Sequence, residues 1–79
     1  MVRAGEEYTV QGVKVRIMEV IPYRSYTGRR MLMIAYKIID RGFESPTAHF
    51  WMPEREDIRP HLREIVAHYL EVRSALLGR

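Results

Sequence analysis

Apolar and polar residues alternate through much of residues 7–52, which is the pattern of β-strands with one buried face. The run EEYTV, the pair Gln11–Gly12 and the run VKVRIMEVI predict two strands joined by a tight turn, or one strand with a bulge at Gly12. The alternation loses its phase at 19–21, where we expect a twist or bulge. Pro22 is expected to end this strand because it has no N–H to donate.

Further strands are expected at 30–39 and at about 46–52, with a glycine-containing turn at 40–43 between them. The alternation divides the side chains into two faces. One face is apolar: Val13, Val15, Ile17, Leu32, Ile34, Tyr36, Ile38, Phe50 and Met52. The opposite face mixes cations, thioethers and one large aromatic: Lys14, Arg16, Met18, Met31, Met33, Lys37, His49 and Trp51.

The last third of the chain predicts one helix over about 57–77. Asp57 is a suitable N-cap, and Pro60 falls in the first turn, where a missing N–H costs little. Apolar residues recur at alternating intervals of four and three, a heptad spacing: Ile58, Leu62, Ile65, Tyr69, Val72 and Leu76. The expected fold is a single α+β domain over residues 1–79, in which a small antiparallel sheet of three to four strands is followed by one long C-terminal helix packed on one face.

The heptad stripe has two interpretations. It either covers the apolar face of the sheet or packs against the same helix of a second subunit, and it is wide enough to do both. A chain of 79 residues without cysteine has a small core and no disulfide to support it. A homodimer is therefore expected, and the candidate partner surface comprises Met31, Met33, Leu62, Ile65, Tyr69, Val72 and Leu76.

The net charge of +3 is unevenly distributed. Residues 1–42 hold eight Lys or Arg against four Asp or Glu, whereas residues 43–79 hold five against six. Between Lys14 and Arg30 five cations face only Glu19. This local excess of positive charge is able to attract a polyanion.

Cations beside aromatic side chains are typical of surfaces that bind nucleic acid, where bases stack on the rings and the cations neutralise phosphates. We therefore expect a small protein that binds single-stranded or deformed DNA or RNA with weak sequence specificity, through one sheet face and the hairpin at 22–30. The candidate contacts are Lys14, Arg16, Tyr23, Arg24, Tyr26, Arg29, Arg30, Lys37, His49 and Trp51.

Two other interpretations stay open. The hairpin sequence YRSYTGRR is equally typical of a solvated loop. The face with methionines and Trp51 is equally typical of a protein–protein interface, as in an accessory or regulatory subunit, because Met and Trp are enriched at such interfaces.

Catalytic and metal-binding patterns are scarce. The chain has no cysteine and no glycine-rich phosphate loop, and the serines have no base nearby in sequence. Glu64 and His68 are four residues apart on the predicted helix, a spacing that usually marks an ordinary surface pair. We therefore expect neither enzymatic activity nor a cofactor or metal.

The sequence also predicts the location of the protein in the cell and the kind of organism it comes from. The longest apolar run is MLMIAY, far shorter than the roughly 20 residues of a membrane span, and the first residues lack the apolar middle of a signal peptide. A cytoplasmic protein is expected. Asparagine is absent and arginine outnumbers lysine eleven to two, which fits a thermophile, although five methionines weaken that inference.

The order of several strands followed by one long helix is similar to two groups of DNA-binding proteins: single-strand-binding transcription coactivators, whose dimers pair a curved four-stranded sheet with a C-terminal helix, and the three-stranded DNA-binding domains of phage integrases. The likeness is one of outline, since no signature motif of either is matched. The double-stranded-RNA-binding domain fits less well, because its last helix is expected to open with basic residues, whereas this one opens with PERED.

Overall fold

The computed structural model describes residues 2–77, which form an antiparallel sheet and one helix. In chain order the elements are β1 (Glu7–Val10), β2 (Val13–Arg24), β3 (Arg30–Asp40), β4 (Phe43–Glu44), β5 (Ala48–Pro53) and α1 (Arg59–Leu77). Each of β1 to β3 pairs with the next, and both β4 and β5 pair with the free edge of β3. The α+β fold predicted from the sequence is confirmed, with the short strand β4 as an unexpected addition.

Two hairpins close through two-residue turns in which both residues have positive φ. Gln11 and Gly12 have φ of 50° and 79°, and Arg41 and Gly42 have φ of 54° and 86°. Positive φ at both positions is characteristic of the type I′ turn, whose twist matches that of the flanking strands. Gly12 therefore lies in a turn and not in a bulge.

Pro22 does not end β2, contrary to the sequence prediction. It pairs with Leu32 inside the strand. The N–H of Ser25 donates to the carbonyl of Arg29, so these two residues form a hydrogen-bonded pair. Bonded and non-bonded pairs alternate along an antiparallel ladder, and Pro22 is three positions back from Ser25. Pro22 thus falls in a non-bonded pair, with its nitrogen directed to the outer edge of β2. Since β1 ends before this point, the edge is free and no ladder bond is lost.

A bulge lies at Met18 of β2. Ile17 opposes Tyr36, whereas Glu19 opposes Ala35, so Met18 has no opposite residue. The irregularity expected at 19–21 therefore occurs one residue earlier. Because side chains alternate along a strand, one extra residue exchanges the two faces beyond it.

The core lies between the sheet and α1. Leu62 and Val66 of the helix are fully buried against the sheet residues that the alternation had assigned to the apolar face, including Val15, Ile17 and Ile34. Asp57 caps the helix, since its Oδ1 accepts the N–H of Arg59 at 3.1 Å. Within residues 2–77 the structure contains one helix, α1, and this helix is not long and apolar enough to cross a membrane.

A buried carboxylate holds the second half of α1 to the end of the sheet. Asp40, at the end of β3, accepts hydrogen bonds from the Tyr69 hydroxyl at 2.8 Å and from Nη1 of Arg73 at 2.7 Å. The Asp40 side chain is only 6% exposed. The bond from Tyr69, followed by that from Arg73, lowers the pKa of Asp40 although burial opposes this. The phenol of Tyr69 also stacks on Phe43, with ring centroids 6.4 Å apart.

Candidate nucleic-acid interface

The face of the sheet opposite α1, here called the open face, carries most of the candidate contacts. Strand register arranges its side chains in rows, because directly opposed residues point to the same side. Trp51, Met33 and Ile21 form one such row, and His49, Ala35 and Glu19 form the next. Arg16 and Lys37 are likewise opposed. The predicted cations and the predicted aromatic platform therefore share one surface.

One half of the open face is apolar. This apolar half comprises Ile21, Tyr23, Met31, Met33, Ala35 and Trp51. Trp51 is 58% exposed, and Ile21 and Tyr23 are 40% and 38% exposed. An indole accessible to this extent can stack with a base or enter a pocket on another protein.

The other half of the open face carries an ion-pair ladder. Arg16 Nε lies 2.8 Å from Glu7 Oε2, and its Nη1 lies 3.7 Å from Glu44 Oε2. Lys14 pairs with Glu7 and Lys37 with Glu44, each at 3.4 Å. The hydrogen bond from Arg16 lowers the pKa of Glu7, so this carboxylate is ionised at neutral pH. Three predicted nucleic-acid contacts thus share two carboxylates and leave one net positive charge.

The tip of the β2–β3 hairpin has a different electrostatic character. Its residues 25–29 form a turn in which Gly28 has a φ of 88° and the Tyr26 side chain is fully exposed. Arg24, Arg29 and Arg30 are exposed there, and within residues 2–77 none of them forms an ion pair. We call these three residues the arginine tip.

The arginine tip does not lie wholly on the open face. Arg24 and Arg30 oppose each other, one position beyond the pair formed by Tyr23 and Met31. Since alternate residues point to opposite sides, these two arginines lie on the side of the hairpin that continues the helix-covered face. Cations therefore flank the hairpin while Tyr23 faces the same side as Trp51.

The residues predicted for a partner surface are distributed over three environments. Leu62 is fully buried inside the subunit, so it is not available to a partner, because the first half of the stripe covers the sheet. Ile65 and Tyr69 are half-buried at the helix–sheet boundary. Val72 and Leu76 are exposed beside Phe43. Met31 and Met33 lie half-buried in the apolar half of the open face.

Sequence reasoning missed three participants in this surface. Ile21 was not assigned to the open face, because the bulge that exchanges the two faces of β2 was expected at 19–21 and lies at Met18. Glu7 and Glu44 come next to the cations only through strand pairing, β1 with β2 and β4 with β3. The change of phase in the alternation of β2 was a signal that could have placed Ile21 on the open face. No local pattern in the sequence predicts that Glu7 and Glu44 lie beside the cations.

Within residues 2–77 no group of three or more His, Cys, Asp or Glu side chains is arranged to hold a metal ion. His61 bonds to Glu56 at 2.9 Å and stacks on Phe50, with ring centroids 5.5 Å apart.

Comparisons of the chain with models of protein families, with curated proteins and with solved structures find no match.

Proposed function

We propose that this protein binds single-stranded or locally deformed nucleic acid with weak sequence specificity. The observation that carries the proposal is the arrangement at the β2–β3 hairpin, where Tyr23 shares the open face with exposed Trp51 and the tip carries three arginines, Arg24 and Arg30 on its other side, that have no carboxylate partner within residues 2–77. Stacking supplies about 1–3 kcal/mol per base on such rings, and arginine binds phosphate in a bidentate manner.

The two halves of the open face have different roles in this proposal. Bases stack on Trp51, with Tyr23 on the adjacent row, and the backbone follows the arginine tip. Lys14, Arg16 and Lys37 contribute less, because a phosphate must compete with Glu7 and Glu44 for each of them. This assigns the main electrostatic role to the hairpin and a minor one to the cations of the sheet.

The direct test is the fluorescence of Trp51, the single tryptophan, during titration with a mixed-sequence single-stranded oligonucleotide. Saturable quenching that weakens as salt rises is expected, since a base then stacks on the indole and phosphate contacts release counterions. An unchanged spectrum at low and moderate salt, with the circular dichroism of a folded protein, would remove nucleic acid from the proposal.

A matched pair of double variants separates the hairpin from the ladder. Arg29→Ala with Arg30→Ala should lower the slope of log affinity against log salt by about 1.4, two single-strand phosphate contacts at roughly 0.7 each. Lys14→Ala with Lys37→Ala removes the same charge from paired positions and should lower the slope less. If the second pair has the larger effect, the ladder and not the tip is the phosphate site.

A protein-interaction module is the second candidate, and the apolar half of the open face favours it. Its methionines, Ile21 and Trp51 form an apolar surface, as in the centre of many protein interfaces. On this alternative, Trp51→Ala abolishes a protein complex while oligonucleotides leave the wild-type fluorescence unchanged. The same titration therefore distinguishes the two candidates.

We also propose that the protein acts as a homodimer. A core cluster of eleven buried apolar residues between a sheet and a single helix is small, and the exposed apolar side chains of the open face and of the end of α1 are unused within the subunit.

A further inference from the structure

The outer edge of β5 has free backbone hydrogen-bonding groups. The N–H of Glu54 donates to the carbonyl of Arg30 at 3.0 Å, which makes this pair the hydrogen-bonded end of the β3–β5 ladder. Bonded and non-bonded pairs alternate, so His49 and Trp51 occupy non-bonded pairs. Their N–H and C=O groups point away from β3 and have no partner within residues 2–77.

The other exposed edges of the sheet carry features that discourage pairing, whereas β5 does not. β1 is only four residues long and begins with Glu7, and the free part of the β2 edge contains Pro22. Short strands, charges and prolines are the usual protection of an edge against another strand. β5, with the sequence AHFWMP, has no Asp, Glu, Lys or Arg, and its proline is the last residue.

The edge is complementary to itself. When two copies of β5 run antiparallel about Phe50, His49 of each faces Trp51 of the other. Both residues have outward N–H and C=O groups, so each of the two His49–Trp51 pairs can exchange two N–H···O bonds. Phe50 then lies opposite its own copy on the helix side, where it already packs against Tyr36 and His61.

We propose that two copies of this chain pair through the outer edges of β5 and form one continuous antiparallel sheet about a two-fold axis. Both helices then lie on one side of the joined sheet and both open faces on the other. In the open face, the Trp51 side chain lies beside the partner's His49, and the two apolar halves become contiguous.

This arrangement identifies the outer edge of β5 as the interface of the proposed homodimer. Its contribution to nucleic-acid binding rests on the proposed function. A two-fold pair presents two Trp51 platforms on one surface, with the arginine tips available to a single strand that crosses it. Dimerisation itself needs no nucleic acid, so it can be tested without any.

The experiment combines sedimentation equilibrium of the whole chain, without nucleic acid, with amide hydrogen exchange read residue by residue. A dimer is expected, with the amides of His49 and Trp51 protected at high protein concentration and exchanging faster on dilution. The amide of Phe50, bonded to β3 in each subunit, should stay protected at both concentrations. A monomer at every concentration overturns the proposal, and so does a dimer in which the amides of His49 and Trp51 exchange freely.

A pair of substitutions at one position isolates the backbone contribution. His49→Pro removes an outward N–H that makes no bond inside the subunit, so the subunit should stay folded and dimerise at least tenfold more weakly. His49→Ala keeps the N–H, removes the same side chain and should dimerise much more tightly than His49→Pro. Equal dimerisation of the two folded variants would contradict edge pairing. Should His49→Pro not fold, the exchange of the wild-type amides decides alone.

Discussion

At the scale of single residues, Asp40 is the buried charged side chain of residues 2–77. Its carboxylate is nearly buried and accepts one bond from the phenol of Tyr69 and one from the guanidinium of Arg73. No local pattern predicts this contact, because about 30 residues separate Asp40 from its partners. It joins the end of β3 to the second half of α1.

Asp40 should make the stability of the fold dependent on acidity. Its pKa in the folded state lies below the unfolded value of about 3.9, so the ionised carboxylate stabilises the fold above that pH. The contribution disappears as the pH falls through the folded pKa. Asp40→Asn should melt at a lower temperature than the wild type at pH 7, and the two melting temperatures should converge toward pH 2. A constant difference over this range would show that the ionisation of Asp40 is not what stabilises the contact.

At the scale of elements, α1 is one helix with two different environments. The heptad spacing is uniform along it, yet Leu62 is fully buried and Leu76 is 78% exposed. The helix residues that pack against the core extend as far as Leu70, Asp40 bonds to Tyr69 and Arg73, and the side chains at the end of the helix stay exposed. Of the two interpretations of the stripe, covering the sheet describes the residues around Leu62, while a partner surface remains a hypothesis for those around Leu76.

Alanine substitutions should reveal this division. Leu62→Ala opens a cavity beneath the sheet and should lower the free energy of unfolding by about 2–5 kcal/mol. Leu76→Ala removes the same atoms from an exposed position and should change it by less than about 0.5 kcal/mol. Urea denaturation at low protein concentration measures both. A comparable loss in Leu76→Ala would mean that the end of α1 is buried by another chain.

At the scale of the whole molecule, charge is distributed less simply than the sequence suggests. The cations of the sheet are paired with Glu7 and Glu44 across neighbouring strands, which leaves one net positive charge, whereas those of the arginine tip have no such partners within residues 2–77. The molecule is elongated, with principal extents of 46 × 23 × 19 Å. The electrostatic field that a polyanion meets therefore differs between the arginine tip and the paired cations of the sheet.

Removing one carboxylate should extend that field across the open face. Glu44→Gln leaves Arg16 and Lys37 with less competition for a phosphate, so oligonucleotide affinity and its dependence on salt should both increase, the slope by about 0.7–1.4. Glu71→Gln makes the same charge change on an exposed position of α1 and serves as the control. Equal effects of the two variants would mean that only net charge matters and that the ladder does not contact nucleic acid.

The sequence by itself determined the local elements and their faces. Alternation defined three of the strands, and the pairs ending in Gly12 and Gly42 defined the turns, because only a few residues accept positive φ. The heptad spacing defined α1 to within about two residues. The composition of the open face, with Trp51 and the three cations together, also followed from alternation, since side-chain direction is a local property of a strand.

Only the tertiary structure decided what those side chains meet. Pairing of β4 with β3 placed Glu44 beside Lys37, and the pairing of β1 with β2 placed Glu7 beside Arg16. The position of the bulge at Met18 decided which face receives Ile21, and the free edge decided that Pro22 could stay in β2. Each of these depends on the register between strands. Contacts between residues distant in sequence select that register, whereas local conformational preference does not.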